Sequence, residues 1–220
     1  MTCIAGIQKN NAVYIGGDSM ASNFLHTAEI ENKKVFKNGD FIFGCTSSFR
    51  MLQLLRYKFN PPTQEEEDDV KYMVTTFVDE LRETFDDKGF LQEESDGQER
   101  GGRFLVGYKG KLYRVDSDFQ IGIRKNKYAA VGSGGSYAEG AIYAMIEQGK
   151  ENPKEIIRTA ISAASKHDPY VGGEINIIKQ EYDRNEEFEH VREVFDNVSE
   201  EDREELVKYL KEKSGFFEGE

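Results

Sequence analysis

The feature that most limits the fold is a short reversal near the amino end. The apolar runs Cys3–Gln8 and Val13–Asp18 are separated only by Lys9-Asn10-Asn11-Ala12. Runs joined by so few residues pair as antiparallel neighbours, because a parallel partner needs a crossover of a dozen or more residues. Asparagine accepts the backbone of such a turn at low cost. The device recurs at Lys34–Gly44, where Asn38-Gly39 is the dipeptide favoured by type I′ hairpins. Arg103–Asp116 alternates about a turn at Lys109-Gly110, and Phe119–Ile123 with Lys127–Gly132 reads as one further hairpin.

Between and after these strand pairs the period changes. Ser47 or Ser48 caps a helix carrying Phe49, Leu52, Leu55 and Phe59, which Pro61-Pro62 stops. A second helix places Val70, Met73, Phe77, Leu81 and Phe85 on one stripe, and an acidic, glycine-bearing loop follows. These apolar faces exceed what one sheet is expected to cover, so part is expected to meet a neighbouring subunit. Ser136–Gly149 forms a helix with a small apolar face. Asn152-Pro153 then caps one carrying Ile156, Ile157, Ala160, Ile161 and Ala164. Gly172–Gln180 supplies a last strand. Strand pairs, two helices, more strands and two more helices describe antiparallel sheets covered by helices, an α+β class. The reading is one domain over residues 1–180. A charged extension follows over 181–220, in which Ser199 opens a helix with Leu206, Val207 and Leu210 on one side.

Charge narrows the partners. With 41 acidic against 29 basic residues and a net charge of −12, the chain repels phosphates, which argues against nucleic acid and anionic membranes. Peptides, proteins or small molecules remain. Two cysteines, Cys3 and Cys45, without metal-like spacing predict neither a disulfide framework nor a metal site. No basic stretch precedes the first apolar residues, and no apolar run nears the ~20 residues that span a bilayer. A cytoplasmic protein is expected.

Taken singly, the polar residues beside these strands are unremarkable. Asp18 suits a turn, Lys33 and Lys34 suit a solvated strand edge, and Asp168 before Pro169 suits a turn start. Gly132–Ser136 lacks the Lys-Ser/Thr ending of a phosphate loop. Spacing changes their weight. Asp18 lies 16 residues after Thr2 and Lys34 lies 32 after it. In that context the chain resembles the proteasome β-subunit and HslV-like family of N-terminal nucleophile hydrolases. Gly132–Gly149 resembles the family's Gly-Ser-Gly lead into a helix, and Ile157–Ile178 its helix, Asp and Gly-Gly strand.

The resemblance implies a four-layer αββα sandwich and a threonine peptidase needing no cofactor. Thr2 would be the nucleophile once Met1 is removed, its hydroxyl exposed and its own α-amine, with an unperturbed pKa of ~7.7–8, acting as base. Lys34 would favour the neutral amine and stabilise the alkoxide, and Asp18 would orient Lys34. Ser133 and Asp168 would hydrogen-bond around the amine. The backbone N–H of Ser47 would bind the oxyanion, although Thr46 is the alternative in a place where the family has glycine. Val171 stands where the family has a serine. Cys3, a rival nucleophile, is expected instead as a buried strand residue. The resemblance further implies peptide or unfolded-protein substrates, a homo-oligomeric ring or stack, and an unfoldase partner. An inactive scaffold subunit and a small-molecule amidase remain as alternatives.

Overall fold

Asn10 and Asn11 both take positive φ, 52° and 54°, and fold β1 (Ile4–Lys9) onto β2 (Ala12–Gly17) with Lys9 opposite Ala12. This computed structural model describes residues 2–22, 25–65, 68–93 and 99–183, without the side chains of 92, 93, 99 and 100. The helix expected after Ser199 lies outside the described residues. The chain divides into Met1–Tyr182 and Asp183–Glu220, and the architecture below is that of the first unit.

After β2 come the short strands β3 (Met20–Ser22) and β4 (Thr27–Glu29), which pair with each other. β5 (Val35–Asn38) and β6 (Phe41–Cys45) form the second hairpin, with Asn38 opposite Phe41. The loop residues are therefore Gly39 and Asp40. Only Gly39 has a positive φ, 56°, which is the type II′ pattern rather than the type I′ expected from Asn38-Gly39. The dipeptide marks the reversal, but asparagine stays in the strand.

α1 (Phe49–Tyr57) is capped by Ser48, whose hydroxyl accepts the N–H groups of Arg50 and Met51. Met51, Leu52, Leu54 and Leu55 form its buried face, whereas Phe49 is 41% exposed. The helix ends at Tyr57, before the prolines expected to stop it. α2 (Asp69–Tyr72) runs through a π-helical turn at Met73–Phe77 into α3 (Val78–Asp87). The wide turn answers the sequence, because apolar residues spaced by four drift around a helix of ~3.6 residues per turn. Widening one turn keeps Met73, Phe77, Leu81 and Phe85 buried together, while Val70 stays partly exposed. The core of this unit absorbs most of both apolar faces, and Phe49 and Val70 remain exposed.

β7 (Gln92–Glu93) and β8 (Glu99–Arg100) pair locally, and β9 (Phe104–Tyr108) turns at Lys109-Gly110 into β10 (Lys111–Val115). β11 (Ile121–Ile123) joins β10, but β12 (Tyr128–Val131) pairs with β1. These two segments are thus not a hairpin. The chain changes sheets between them, a choice that alternation alone does not encode. α4 (Gly135–Glu147), α5 (Pro153–His167) and β13 (Asn176–Glu181) complete the fold. Asn152 caps α5 by accepting the N–H groups of Lys154 and Glu155, and the five apolar residues expected to be buried are buried.

The strands make two main sheets, ordered β12-β1-β2-β13 and β11-β10-β9-β6-β5. β1 shows why they stack. Cys3, Ala5 and Ile7 face α4 and α5, whereas Ile4 faces Val35, Ile42 and Leu105 between the sheets. The outer face of the second sheet carries Phe36, Phe41, Phe43, Phe104 and Tyr108 against α1 to α3. The result is the four-layer αββα sandwich. Among the described residues no helix is long and apolar enough to cross a membrane.

Glycine marks the closest approach of the sheets. A Cβ on Gly44 would come within 2.5 Å of Ile4 Cγ2 and Ile15 Cγ2, both branch methyls with little freedom. Gly44→Ala is therefore expected to destabilise the fold by about 1–3 kcal/mol in denaturant titrations. Gly140, inside α4 with open space around it, is expected to gain about 0.5–1 kcal/mol on replacement by Ala.

Candidate active site

Three strand ends meet at one point. Thr2 lies just before β1 and Asp18 just after β2. The β1–β2 ladder continues outward as Asp18 donates its N–H to the Cys3 carbonyl at 3.3 Å. Lys34 lies just before β5, in the other sheet, with its carbonyl accepting the Cys45 N–H at 2.9 Å. Gly17 leaves room here for Ile4, since a Cβ would stand 2.6 Å from Ile4 Cδ1.

The three side chains are bonded to each other. The Thr2 hydroxyl donates to Asp18 Oδ1 and accepts from Lys34 Nζ. Lys34 Nζ also donates to Asp18 Oδ1 at 2.8 Å and to the Met20 carbonyl at 2.7 Å, so three acceptors meet its three protons. Asp18 is equally committed: Oδ1 takes the Cys3 N–H at 3.0 Å and Oδ2 the Gly172 N–H at 3.2 Å. Thr2 is 2% exposed, so its hydroxyl is buried within this cluster and does not stand open as the sequence suggests. Lys33, by contrast, is exposed.

Burial lowers the pKa of Lys34 from the usual lysine range, with the adjacent Asp18 pulling the other way. A lysine so placed is easier to deprotonate than one in water. Cys3 is fully buried and its thiol is pushed up to about 12, chiefly by desolvation and then by Asp18. It has no thiolate character at neutral pH.

On the far side of Thr2, its N–H donates to Ser133 Oγ at 3.3 Å, and that hydroxyl in turn donates to the Thr2 carbonyl at 3.4 Å. Gly132, at φ 97°, lets the chain pass against the Thr2 carbonyl where a Cβ would collide. Asp168 is buried at the C-cap of α5, and its Oδ1 accepts the Tyr170 N–H at 2.9 Å. Among the described residues it makes no hydrogen bond to Thr2 or Ser133. Val171 is buried in the cluster between α5 and the first sheet.

Beside Thr2 opens a cavity of about 90 Å³, lined by Ser22, Lys34, Cys45, Thr46, Ser47 and Phe49 among others. Thr46 donates its N–H to the Arg103 carbonyl at 3.2 Å and Ser48 donates to the Thr46 carbonyl at 2.7 Å. Among the described residues the Ser47 N–H has no acceptor, which separates it from Thr46 as an anion donor.

No protein-family profile matches the chain. Over 181 residues it is 25% identical to the ATP-dependent protease subunit HslV of Caldicellulosiruptor saccharolyticus, spanning 81% of this chain and 97% of that protein. BPH of Thiobacillus denitrificans superimposes with a TM-score of 0.71 at 20% identity, over 83% of this chain and 100% of that one. BPH in complex with epoxomicin gives 0.70 at the same identity and coverage. HslV from Trypanosoma brucei gives 0.59 at 18% identity, over 82% and 100%. In sequence the chain is similar to an HslV protease subunit, and in fold to BPH and HslV.

Within this HslV-like sandwich, several contributors escape the sequence reading. Met20 and Gly172 act through backbone atoms, which carry no residue signature. Ser19 and Glu29 form a latch next to the cluster: Glu29 Oε1 accepts the Ser19 hydroxyl at 2.8 Å and the Glu174 N–H at 2.7 Å. That latch ties the β3–β4 hairpin, source of the Met20 carbonyl, to the segment supplying the Gly172 N–H. These bonds, the Ser19 hydroxyl first, hold the Glu29 carboxyl below its usual range. The visible signal is Gly172-Gly173, since a Cβ on Gly173 would collide with Ser19 Oγ.

Removing either charge from a buried pair leaves the other uncompensated. Asp18→Asn and Lys34→Met are each expected to cost about 3–5 kcal/mol of unfolding free energy. The double variant should cost clearly less than the sum, as read from a urea-denaturation cycle.

Proposed function

We propose that this protein is a threonine-type peptidase that uses Thr2 as its nucleophile once Met1 has been removed. The observation that carries the reading is the Thr2 hydroxyl held between Asp18 and Lys34, in a residue that lines a cavity. The freed α-amine takes the hydroxyl proton, and the oxygen attacks a peptide carbonyl. The Lys34 ammonium offsets charge on the threonine oxygen, and the Ser47 N–H receives the carbonyl oxygen as it becomes negative. Asp18 keeps Lys34 oriented. Collapse of the adduct passes the proton from the amine to the leaving nitrogen and leaves an ester on Thr2. Water, losing a proton to the same amine, then attacks the ester; the bond to the threonine oxygen breaks, that oxygen takes the proton back from the amine, and the acid is released. Ser133 orients the amine, and Asp168 completes the polar surroundings without touching it. No cofactor enters this sequence. The relatives support it in kind: one is named as an ATP-dependent protease subunit, and another is seen with epoxomicin bound.

The scaffold alternative draws on one observation, the apolar Val171 at a place where a further polar partner of the amine is expected. Activity decides between them. Intact mass should show loss of Met1. Peptidyl fluorogenic substrates should be hydrolysed by wild type and, at a reduced rate, by Thr2→Ser, but not by Thr2→Ala. Because the threonine hydroxyl is buried and bonded, Thr2→Ala should also lose about 1 kcal/mol of stability while still folding. Lys34→Ala should lower kcat/KM by about 100-fold or more, and the exposed Lys33→Ala should change it little. Retained Met1 or a fully active Thr2→Ala protein would refute the mechanism.

The same reading extends to assembly. We infer a closed homo-oligomer that shelters Thr2, acts on peptides or unfolded chains, works in the cytoplasm and receives substrate from an unfoldase. Residues 181–220 would be a separate extension. Tyr137, Tyr143 and Ile146 on α4 are exposed apolar or aromatic side chains, as a subunit contact would use. Light scattering at physiological concentration should give a particle many times 25.1 kDa; a monomer would exclude the compartment.

A further inference from the structure

The segment between β6 and α1 is bent more sharply than its sequence requires. Ser47 has φ 64°, in the left-handed region where a residue with a Cβ is strained. The Ser48 N–H reaches back to the Thr46 carbonyl at 2.7 Å, so Ser47 is the central residue of a three-residue turn with positive φ, the strained form of the γ-turn. Glycine suits this place, and serine needs an outside hold.

The Ser47 hydroxyl supplies one. It accepts the Arg103 N–H at 3.2 Å and lies 3.1 Å from Thr46 Oγ1, while the Arg103 carbonyl takes the Thr46 N–H at 3.2 Å. Cys45 and Phe104 are the last paired residues of the β6–β9 ladder. The hydroxyl therefore stands where the next backbone acceptor would be and extends the ladder by one bond. With the N–H groups of Thr46 and Ser48 occupied, the turn leaves the Ser47 N–H unspent beside the cavity that Thr2 lines. Gly102 makes room for the arrangement, since a Cβ there would stand 3.2 Å from Ser47 Cβ and would run into Met51 Sδ.

We propose that the Ser47 side chain is a positioning group: its hydroxyl, clamped by the Arg103 backbone, holds the strained turn that keeps the Ser47 N–H available to the reaction's oxyanion. The inference rests on the peptidase reading for its consequence, but not for its geometry. Three proteins separate the two. Ser47→Ala keeps the Cβ and loses the clamp, whereas Ser47→Gly loses the clamp and the strain together. Thermal unfolding should therefore rank Ser47→Gly above Ser47→Ala, whether or not the protein hydrolyses anything. On a fluorogenic peptide, Ser47→Ala should lose about 10- to 100-fold in kcat with KM nearly unchanged, and Ser47→Gly should return to within about threefold of wild type. Ser47→Ala with wild-type kcat would overturn the proposal. So would equal losses in both variants, since these would mean that the hydroxyl meets substrate directly. If wild type is inactive while the stability order holds, the peptidase reading fails and the clamped turn stands.

Discussion

The buried ion pair of Asp18 and Lys34 sets conditions that the surrounding structure has to meet. Taking two charges out of water is unfavourable unless every proton and lone pair finds a partner. Lys34 finds three acceptors and Asp18 four donors, supplied by residues next to β1, β2 and β5, by the β3–β4 hairpin and by the segment before β13. The pair fixes how the open ends of β1, β2 and β5 are arranged. Nearby glycines act as clearances: Gly17 leaves room for Ile4, and Gly132 lets the chain run against Thr2. Thr2 is placed as a consequence, since its hydroxyl completes the coordination of both charges.

Much of this is legible in the sequence because it is local. Asn10-Asn11 and Lys109-Gly110 specify reversals through positive φ, and Asn152-Pro153 specifies a helix start through capping and a preset φ. The burial of α5 follows from a 3.6-residue period that one chain segment contains in full. The misreadings have a different origin. Ile121–Ile123 and Tyr128–Val131 look like a hairpin, yet they join different sheets. Strand pairing is a relation between segments, and alternation reports only that each has two faces. Phe49 has the spacing of a core residue and lies partly exposed beside the cavity, because helical period gives a face but not how far along its length the cover extends.

The candidate site is legible to a similar degree and for a related reason. The spacings of Asp18 and Lys34 from Thr2 reflect hairpin lengths, and hairpin lengths determine which strand ends meet. The meeting of the three side chains follows from that topology. Backbone contributors such as the Met20 carbonyl and the Gly172 N–H carry no such trace. The choice between Thr46 and Ser47 also needs coordinates, because it turns on which N–H the Arg103 carbonyl has already taken.

The burial of Lys34 bears on whether such a site is kept for architecture alone. Replacing a buried ion pair with well-packed apolar residues is often neutral or stabilising, and the region around this pair offers apolar neighbours in Ile4, Val35 and Leu52. Architecture alone is thus better served without the charges. Asp18 and Lys34 gain a purpose when the group between them must change its charge during a reaction, since an ammonium already desolvated and oriented needs no rearrangement as the threonine oxygen becomes negative. The opposing pulls on Lys34 suit that role, because burial lowers its pKa while Asp18 counters the loss. Val171 packs among apolar side chains between α5 and the first sheet and leaves the bonds among Thr2, Asp18 and Lys34 as they are. The balance of these effects favours chemistry over scaffold.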